Sequence, residues 1–313
     1  MSLAFVFPGQ GSQSIGMLQA FTEESELAAE IYDTAESVLG YNLRQVIMEG
    51  DASELNRTEI TQPAMLTTGY ICWRLWQHAG GANPEFMAGH SLGEYTALVC
   101  AGAISFESAL DLVQTRGRLM QAAVADGEGA MAAILGLGDE QVIEACKQAS
   151  QGEIVEAVNF NSPGQVVIAG QKSAVQRAID LLKETGAKRA LMLPVSVPSH
   201  CALMTEAANS LAEQLKTVDI SHPEIPVLHN VDVAIHHDTE SIRDVLAKQL
   251  YNPVRWVETI ESLIKKGVDR VIECGPGKVL TGLNKRINKD ITTLPVYDPA
   301  SLQTAMEATV DIK

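Results

Sequence analysis

The pentapeptide Gly89-His90-Ser91-Leu92-Gly93 constrains the fold of this chain more than any other stretch. It has the form Gly-x-Ser-x-Gly. The mostly apolar run 85–88 before it suits a strand, and the run 94–101 after it suits a helix. A strand that turns at once into a helix brings neighbouring Cβ atoms into collision, and glycine at 89 and 93 removes them. The pattern therefore reads as a nucleophile elbow. It presents the Ser91 hydroxyl at a helix N-terminus, where unpaired N–H groups and the positive dipole end favour an oxyanion. A Gly-rich turn that merely contains serine would share the pattern. The strand–turn–helix context argues for the elbow.

The periodicity around the elbow predicts an α/β protein. An opening strand at 3–7 ends in the polar loop Pro8-Gly9-Gln10-Gly11-Ser12-Gln13, a frequent site builder in α/β folds. Helices are predicted at about 23–39 and 62–79, and another after the elbow passes through Arg116, Gly117 and Met120. The segment 128–196 reads differently. Strand 130–135, helix 139–150, strands 154–159 and 165–169 around Asn161-Ser162-Pro163-Gly164, helix 172–185 and strand 189–195 follow in β-α-β-β-α-β order, the ferredoxin-like pattern. We expect a ferredoxin-like subdomain at 128–196 inserted into an α/β core of residues 1–127 and 197–313. The core resumes with helix 202–216, strand 226–229, helices near 240–249 and 253–266, and strand 269–273. Gly275-Pro276-Gly277 then turns into a last helix. The spacing of Gly275-Pro276-Gly277-Lys278 fits neither phosphate-loop nor dinucleotide motifs, so it reads as a plain turn.

Composition narrows the function classes. The chain of 313 residues carries a formal net charge of −16, which argues against a large nucleic-acid footprint. Its local basic groups are Lys285, Arg286 and Lys289, and Lys188 and Arg189. No secretory signal or membrane-length apolar run is read, and the five cysteines are scattered without C-x-x-C, so a cytoplasmic protein with reduced thiols is expected. His236-His237-Asp238 has no further ligand pair nearby and reads as a polar loop; no metal is expected.

A serine hydroxyl needs a base. His90 adjoins Ser91, but its ring is expected to point away. His200 ends the run Val195-Ser196-Val197-Pro198-Ser199, a rigid loop able to hold an imidazole over a distant serine; an ordinary loop histidine is the alternative.

Taken together and in order, Phe7-Pro8-Gly9-Gln10-Gly11-Ser12-Gln13, Gly89 through Tyr95, Arg116-Gly117, Asn159 through Gln165, Pro198-Ser199-His200 and Gly275-Pro276-Gly277 resemble the malonyl-CoA:acyl carrier protein transacylases of bacterial fatty acid synthesis. The resemblance runs from about residue 3 to 300. It implies an α/β-hydrolase-like core with a parallel sheet. It implies Ser91 as nucleophile and His200 as base, with the second imidazole nitrogen held by a backbone carbonyl within 249–252, the stretch that contains Gln249 and Asn252. It implies an oxyanion hole of the Gln10 and Leu92 N–H groups, and Arg116 holding the malonyl carboxylate. Gln62, Gln10 and Asn161 are further polar candidates for that pocket. The implied partners are malonyl-CoA, a substrate rather than a cofactor, and acyl carrier protein. No cofactor, nucleic acid or membrane is expected, and a monomer is. A serine esterase or thioesterase, a non-catalytic acyl-CoA or carrier-protein module, and a polyketide acyltransferase are the alternatives. Val197-Pro198-Ser199 before the histidine looks like the stand-alone fatty-acid type.

Overall fold

The computed structural model describes residues 2–125, 127–195 and 197–312. Met1, and Ser196 in the loop and boundary discussed above, lie outside the described residues. Among the described residues nine strands form two sheets. The first is parallel, with order β7-β2-β1-β8-β9: β1 Leu3–Phe7, β2 Phe86–Gly89, β7 Val227–Leu228, β8 Arg270–Cys274 and β9 Thr292–Val296. The second is antiparallel, with order β4-β5-β3-β6: β3 Gly129–Leu135, β4 Val155–Ser162, β5 Gln165–Gln171 and β6 Arg189–Met192.

The parallel strands are apolar runs because both faces are covered. All five residues of β1 are buried, as expected when helices pack on either side of a sheet. Its C-terminal edge collects the loops that matter. The register pairs Phe7 with Gly89, so the 8–13 loop and the Ser91 elbow leave adjacent strands side by side. The short β7 ends at the same edge, and His229 and Asn230 follow it.

The antiparallel sheet has its own core. Val166, Ile168, Val142, Ile179 and Leu182 pack its face against the helices Asp139–Ser150 and Lys172–Glu184. Its other face, through Met131, Val158 and Val167, packs on Cys201 beside His200. The second sheet is tied to the loop at Val254 through β4, where Val254 N–H donates to Val158 O and Phe160 N–H donates to Val254 O.

Three sequence expectations need correction. The helix expected at 23–39 is two, Gln19–Glu24 and Glu26–Leu39, because Ser25 caps the second with its hydroxyl on the Ala28 N–H. The helix expected from 62 begins at Thr58; Pro63 lies inside its early turns rather than opening it. The helix after Gly277, Val279–Ile287, is not the last: β9 and the helix Pro299–Ala308 follow. β9 contains Pro295, which is tolerated because the strand lies at the sheet edge, where a missing N–H costs no ladder bond.

Candidate active site

The elbow forms as its glycines require. A Cβ on Gly89 would sit 1.8 Å from Gly93 C, and one on Gly93 would sit 2.0 Å from Phe7 O. The helix Leu92–Cys100 starts directly after Ser91, which takes φ 51° and ψ −109°. Such a backbone is strained for a non-glycine residue, by about 1–3 kcal/mol, and needs its surroundings to hold it. Asn230 supplies the hold. Its Oδ1 accepts from Ser91 N–H at 2.8 Å, and its Nδ2 donates to Gly89 O at 2.7 Å.

His200 faces the serine. Its Nε2 lies 2.8 Å from Ser91 Oγ, and its Nδ1 lies 2.7 Å from the Gln249 carbonyl oxygen. A carbonyl can only accept, so Nδ1 carries the proton and Nε2 accepts from the serine hydroxyl. His200 also takes a positive φ of 67°, and its N–H donates to Leu250 O at 2.9 Å. Imidazole and backbone are thus pinned to one loop. Burial, then the neighbouring Arg116 charge, lowers the His200 pKa from 6.5 to about 3, against the opposing backbone contacts of Gln249 and Asn252. The imidazole is neutral at neutral pH and free to take a proton.

Arg116 lies in the helix Phe106–Ala122 and is 1% exposed. Its Nη2 donates to Gln249 Oε1 at 2.8 Å and to Ser91 Oγ at 3.3 Å, and its guanidinium carbon lies 5.3 Å from the Tyr95 ring centroid. Burial lowers its pKa, and the fields of Tyr95 and Glu94 oppose that.

Beneath the elbow lies a polar network that the sequence reading missed. Glu94 Oε1 accepts from His229 Nδ1 at 2.7 Å; its Oε2 accepts from Asn230 N–H and from Gln249 Nε2, both at 2.9 Å. All four side chains are fully buried. The available signals were Glu94 inside the elbow helix and His229-Asn230 directly after a parallel strand, at the edge where α/β sites gather.

The remaining expected residues fall as follows. Asn161 meets His90 rather than Ser91: its Oδ1 lies 2.8 Å from His90 Nε2, so the His90 ring turns towards the second sheet. Gln62 is buried beside the Arg116 helix and donates to Met120 Sδ at 3.5 Å. Asn252 donates through its side chain to Lys248 O at 2.8 Å. Leu92 opens its helix, so its N–H has no intrahelical carbonyl. Gln10 follows β1 in the loop beside the elbow. The first-turn N–H groups of Leu280 and Thr281, behind Gly275-Pro276-Gly277, are taken by buried Glu273, a further reason against a phosphate seat there. Among the described residues no group of three His, Cys, Asp or Glu is placed to hold a metal. A cleft of about 730 Å³ lined by Tyr70, Arg74 and Phe106 lies apart from these residues.

A hydroxyl on a strained turn, a neutral imidazole against it and helix N–H groups beside it are an arrangement able to carry out serine acyl transfer. The comparisons with known proteins give the family. The chain belongs to the acyl transferase domain family, whose model matches residues 4–302. Within it, the chain is similar in sequence and shape to malonyl CoA-acyl carrier protein transacylases. The chain is 53% identical over 303 residues to the one from Salmonella typhimurium, covering 97% of this chain and 98% of the relative. It is 45% identical over 306 residues to the one from Bacillus subtilis, covering 97% and 96%. The solved transacylase of Coxiella burnetii superposes with a TM-score of 0.97 at 46% identity, covering 98% of this chain and 97% of that one. A malonyl-transacylase solved in complex with a type II polyketide acyl-carrier protein superposes with a TM-score of 0.97 at 53% identity, covering 98% and 100%.

Proposed function

We propose that this protein transfers a malonyl group from malonyl-CoA to the phosphopantetheine thiol of acyl carrier protein through a malonyl ester on Ser91. The single observation that carries the reading is the 2.8 Å Ser91–His200 contact, with Nδ1 of the same ring on a backbone carbonyl. His200 takes the Ser91 proton as Oγ attacks the thioester carbonyl, then gives it to the departing CoA thiolate. In the second half-reaction His200 takes the proton of the carrier thiol, whose sulfur attacks the serine ester, and returns it to Ser91 Oγ. No cofactor enters either step.

The developing oxyanion is assigned to the N–H groups of Leu92 and Gln10. The Ser91 N–H is taken by Asn230, which favours Leu92 for this task. Arg116 is assigned to the malonyl carboxylate, which a guanidinium can hold with two charge-assisted bonds. Gln62 and Asn161 belong to the wall of the same pocket, and the backbone of 249–252, with Gln249 and Asn252, orients His200.

The finer fold reading is an α/β-hydrolase-like core, 1–127 and 197–313, carrying a ferredoxin-like subdomain, 128–196. The β4-β5-β3-β6 order supports the ferredoxin-like part. We place the protein in the cytoplasm as a monomer, without a nucleic-acid or membrane partner; among the described residues no helix is long and apolar enough to cross a membrane. Carrier docking is assigned to Lys285, Arg286 and Lys289, or to Lys188 and Arg189, all exposed.

The test is to incubate the protein with malonyl-CoA, with and without carrier protein bearing its thiol. The expected result is malonyl-carrier and little free malonate. Rapid malonate release without acceptor would instead indicate a hydrolase. Supply of fatty acid synthesis is the primary reading. A polyketide role is the second, favoured by the relative solved with a polyketide carrier; comparing carriers of both kinds as acceptors separates them.

A further inference from the structure

We propose that the side-chain amide of Gln249, oriented by Glu94, determines acyl-group specificity by holding Arg116 in the pose that receives a carboxylate. This rests on the acyl-transfer reading above, but concerns atoms that reading does not use: there, Gln249 acts through its backbone carbonyl alone.

The buried guanidinium needs support, and among the described residues Arg116 has no carboxylate within ion-pair distance. Its Nη2 meets Gln249 Oε1 at 2.8 Å, while its Nε has no partner. On the far side of the same amide, Gln249 Nε2 donates to Glu94 Oε2 at 2.9 Å and to Ser91 O at 3.0 Å. The counter-charge for Arg116 therefore stands one amide away. A carboxylate in direct contact would occupy the guanidinium edge that a malonyl group must use. A neutral amide oxygen engages Nη2 and leaves the rest of that edge to the substrate.

Glu94 also decides which end of the amide faces Arg116. Glu94 Oε2 and Ser91 O are both acceptors, so they must face the NH₂ end, and Oε1 is forced towards the arginine. Turning the amide over would set acceptor against acceptor on one side and donor against donor on the other. Glu94 is in turn fixed by His229 and the Asn230 N–H. Gln249 thus joins two functions. Its main chain sets the base, and its side chain sets the clamp, so a side-chain substitution separates them.

The experiment compares wild type, Q249M and E94Q in transfer from malonyl-CoA and from acetyl-CoA to carrier protein, with thermal midpoints and the pH profile of acylation measured alongside. In Q249M, an unbranched chain of similar length without hydrogen bonds, kcat/KM for malonyl should fall about tenfold to a hundredfold, the worth of one hydrogen bond to a charged group. The loss for acetyl should be much smaller. The acid limb of the pH profile should stay in place, because the His200 acceptor is main chain. In E94Q the Asn230 N–H still claims the remaining oxygen, so the amide keeps its orientation but loses its charged partner, and the malonyl-to-acetyl ratio should fall to an intermediate value. Equal losses for both acyl groups in Q249M would overturn the proposal, as would an unchanged ratio there. An unchanged ratio in folded E94Q would overturn the part that the Glu94 charge plays in supporting the amide. Should Q249M fail to fold, E94Q decides. A wild-type protein that takes up neither acyl group would sink the acyl-transfer reading itself, not this inference alone.

Discussion

The parallel-sheet edge and the antiparallel sheet use buried space in opposite ways. At the edge, Ser91 and His200 adopt positive φ, and Glu94, Arg116, His229, Asn230 and Gln249 are buried polar groups tied to one another. In the antiparallel sheet, aliphatic side chains fill the face against two amphipathic helices. Apolar packing tolerates exchange if volume is kept, whereas a buried polar network fails when one member is left without a partner. The edge should therefore be sensitive in activity, and the second sheet in stability.

The largest expected effect is at the edge. His200→Ala should lower the rate of Ser91 acylation by at least about a hundredfold, the ordinary share of a general base, with a small change in thermal midpoint. Rapid-quench acylation kinetics beside a melting curve would check both; a large stability loss with partial activity would break the contrast. Ile168→Ala makes the opposite test. It should cost about 2–5 kcal/mol of stability by opening a cavity. Transfer per folded molecule should change less than twofold by comparison, as read by denaturant titration and kcat/KM.

A third prediction concerns pH. The folded His200 refuses a proton between about 3 and 6.5 that the unfolded chain accepts, so stability should fall as pH drops below 6.5. The deficit from this residue is about 2 kcal/mol at pH 5, from 1.36 kcal/mol per pKa unit. Acylation should persist below pH 6, and Arg116→Ala, which removes one cause of the depression, should move its acid limb upward. A limb near 6.5 in the wild type would contradict this. The smallest effect is at the surface. Reversing Lys285 and Arg286 to Glu should raise KM for carrier protein severalfold at low salt and leave the CoA half-reaction alone. If neither this pair nor Lys188 with Arg189 responds, the docking assignment is wrong.

Much of this contrast was legible in the residues. The second sheet announced itself through its element order, and every strand expected in it is present, with ends shifted by a few residues. The elbow was readable because its glycines are a steric necessity. His200 and Arg116 were not readable from local pattern: a loop histidine and a helix arginine look ordinary until a resemblance places them with Ser91. The polar network was invisible for a different reason. Glu94 reads as a solvated helix residue, and Asn230 as a loop residue, until the fold buries them under the elbow. β9 was not expected from the sequence; it is short, contains Pro295 and lies at the sheet edge, where a missing N–H costs no ladder bond. The helix after it did carry a signal, an Asp298 cap with Pro299 in the first turn.

The central claim is that Ser91 carries the acyl group between donor and acceptor. Intact-mass measurement after brief incubation with malonyl-CoA tests it most directly. The wild type should gain one malonyl group and lose it on addition of carrier thiol, and Ser91→Ala should gain none. A malonyl adduct that persists on Ser91→Ala, or one on the wild type that carrier thiol does not remove, would contradict the account.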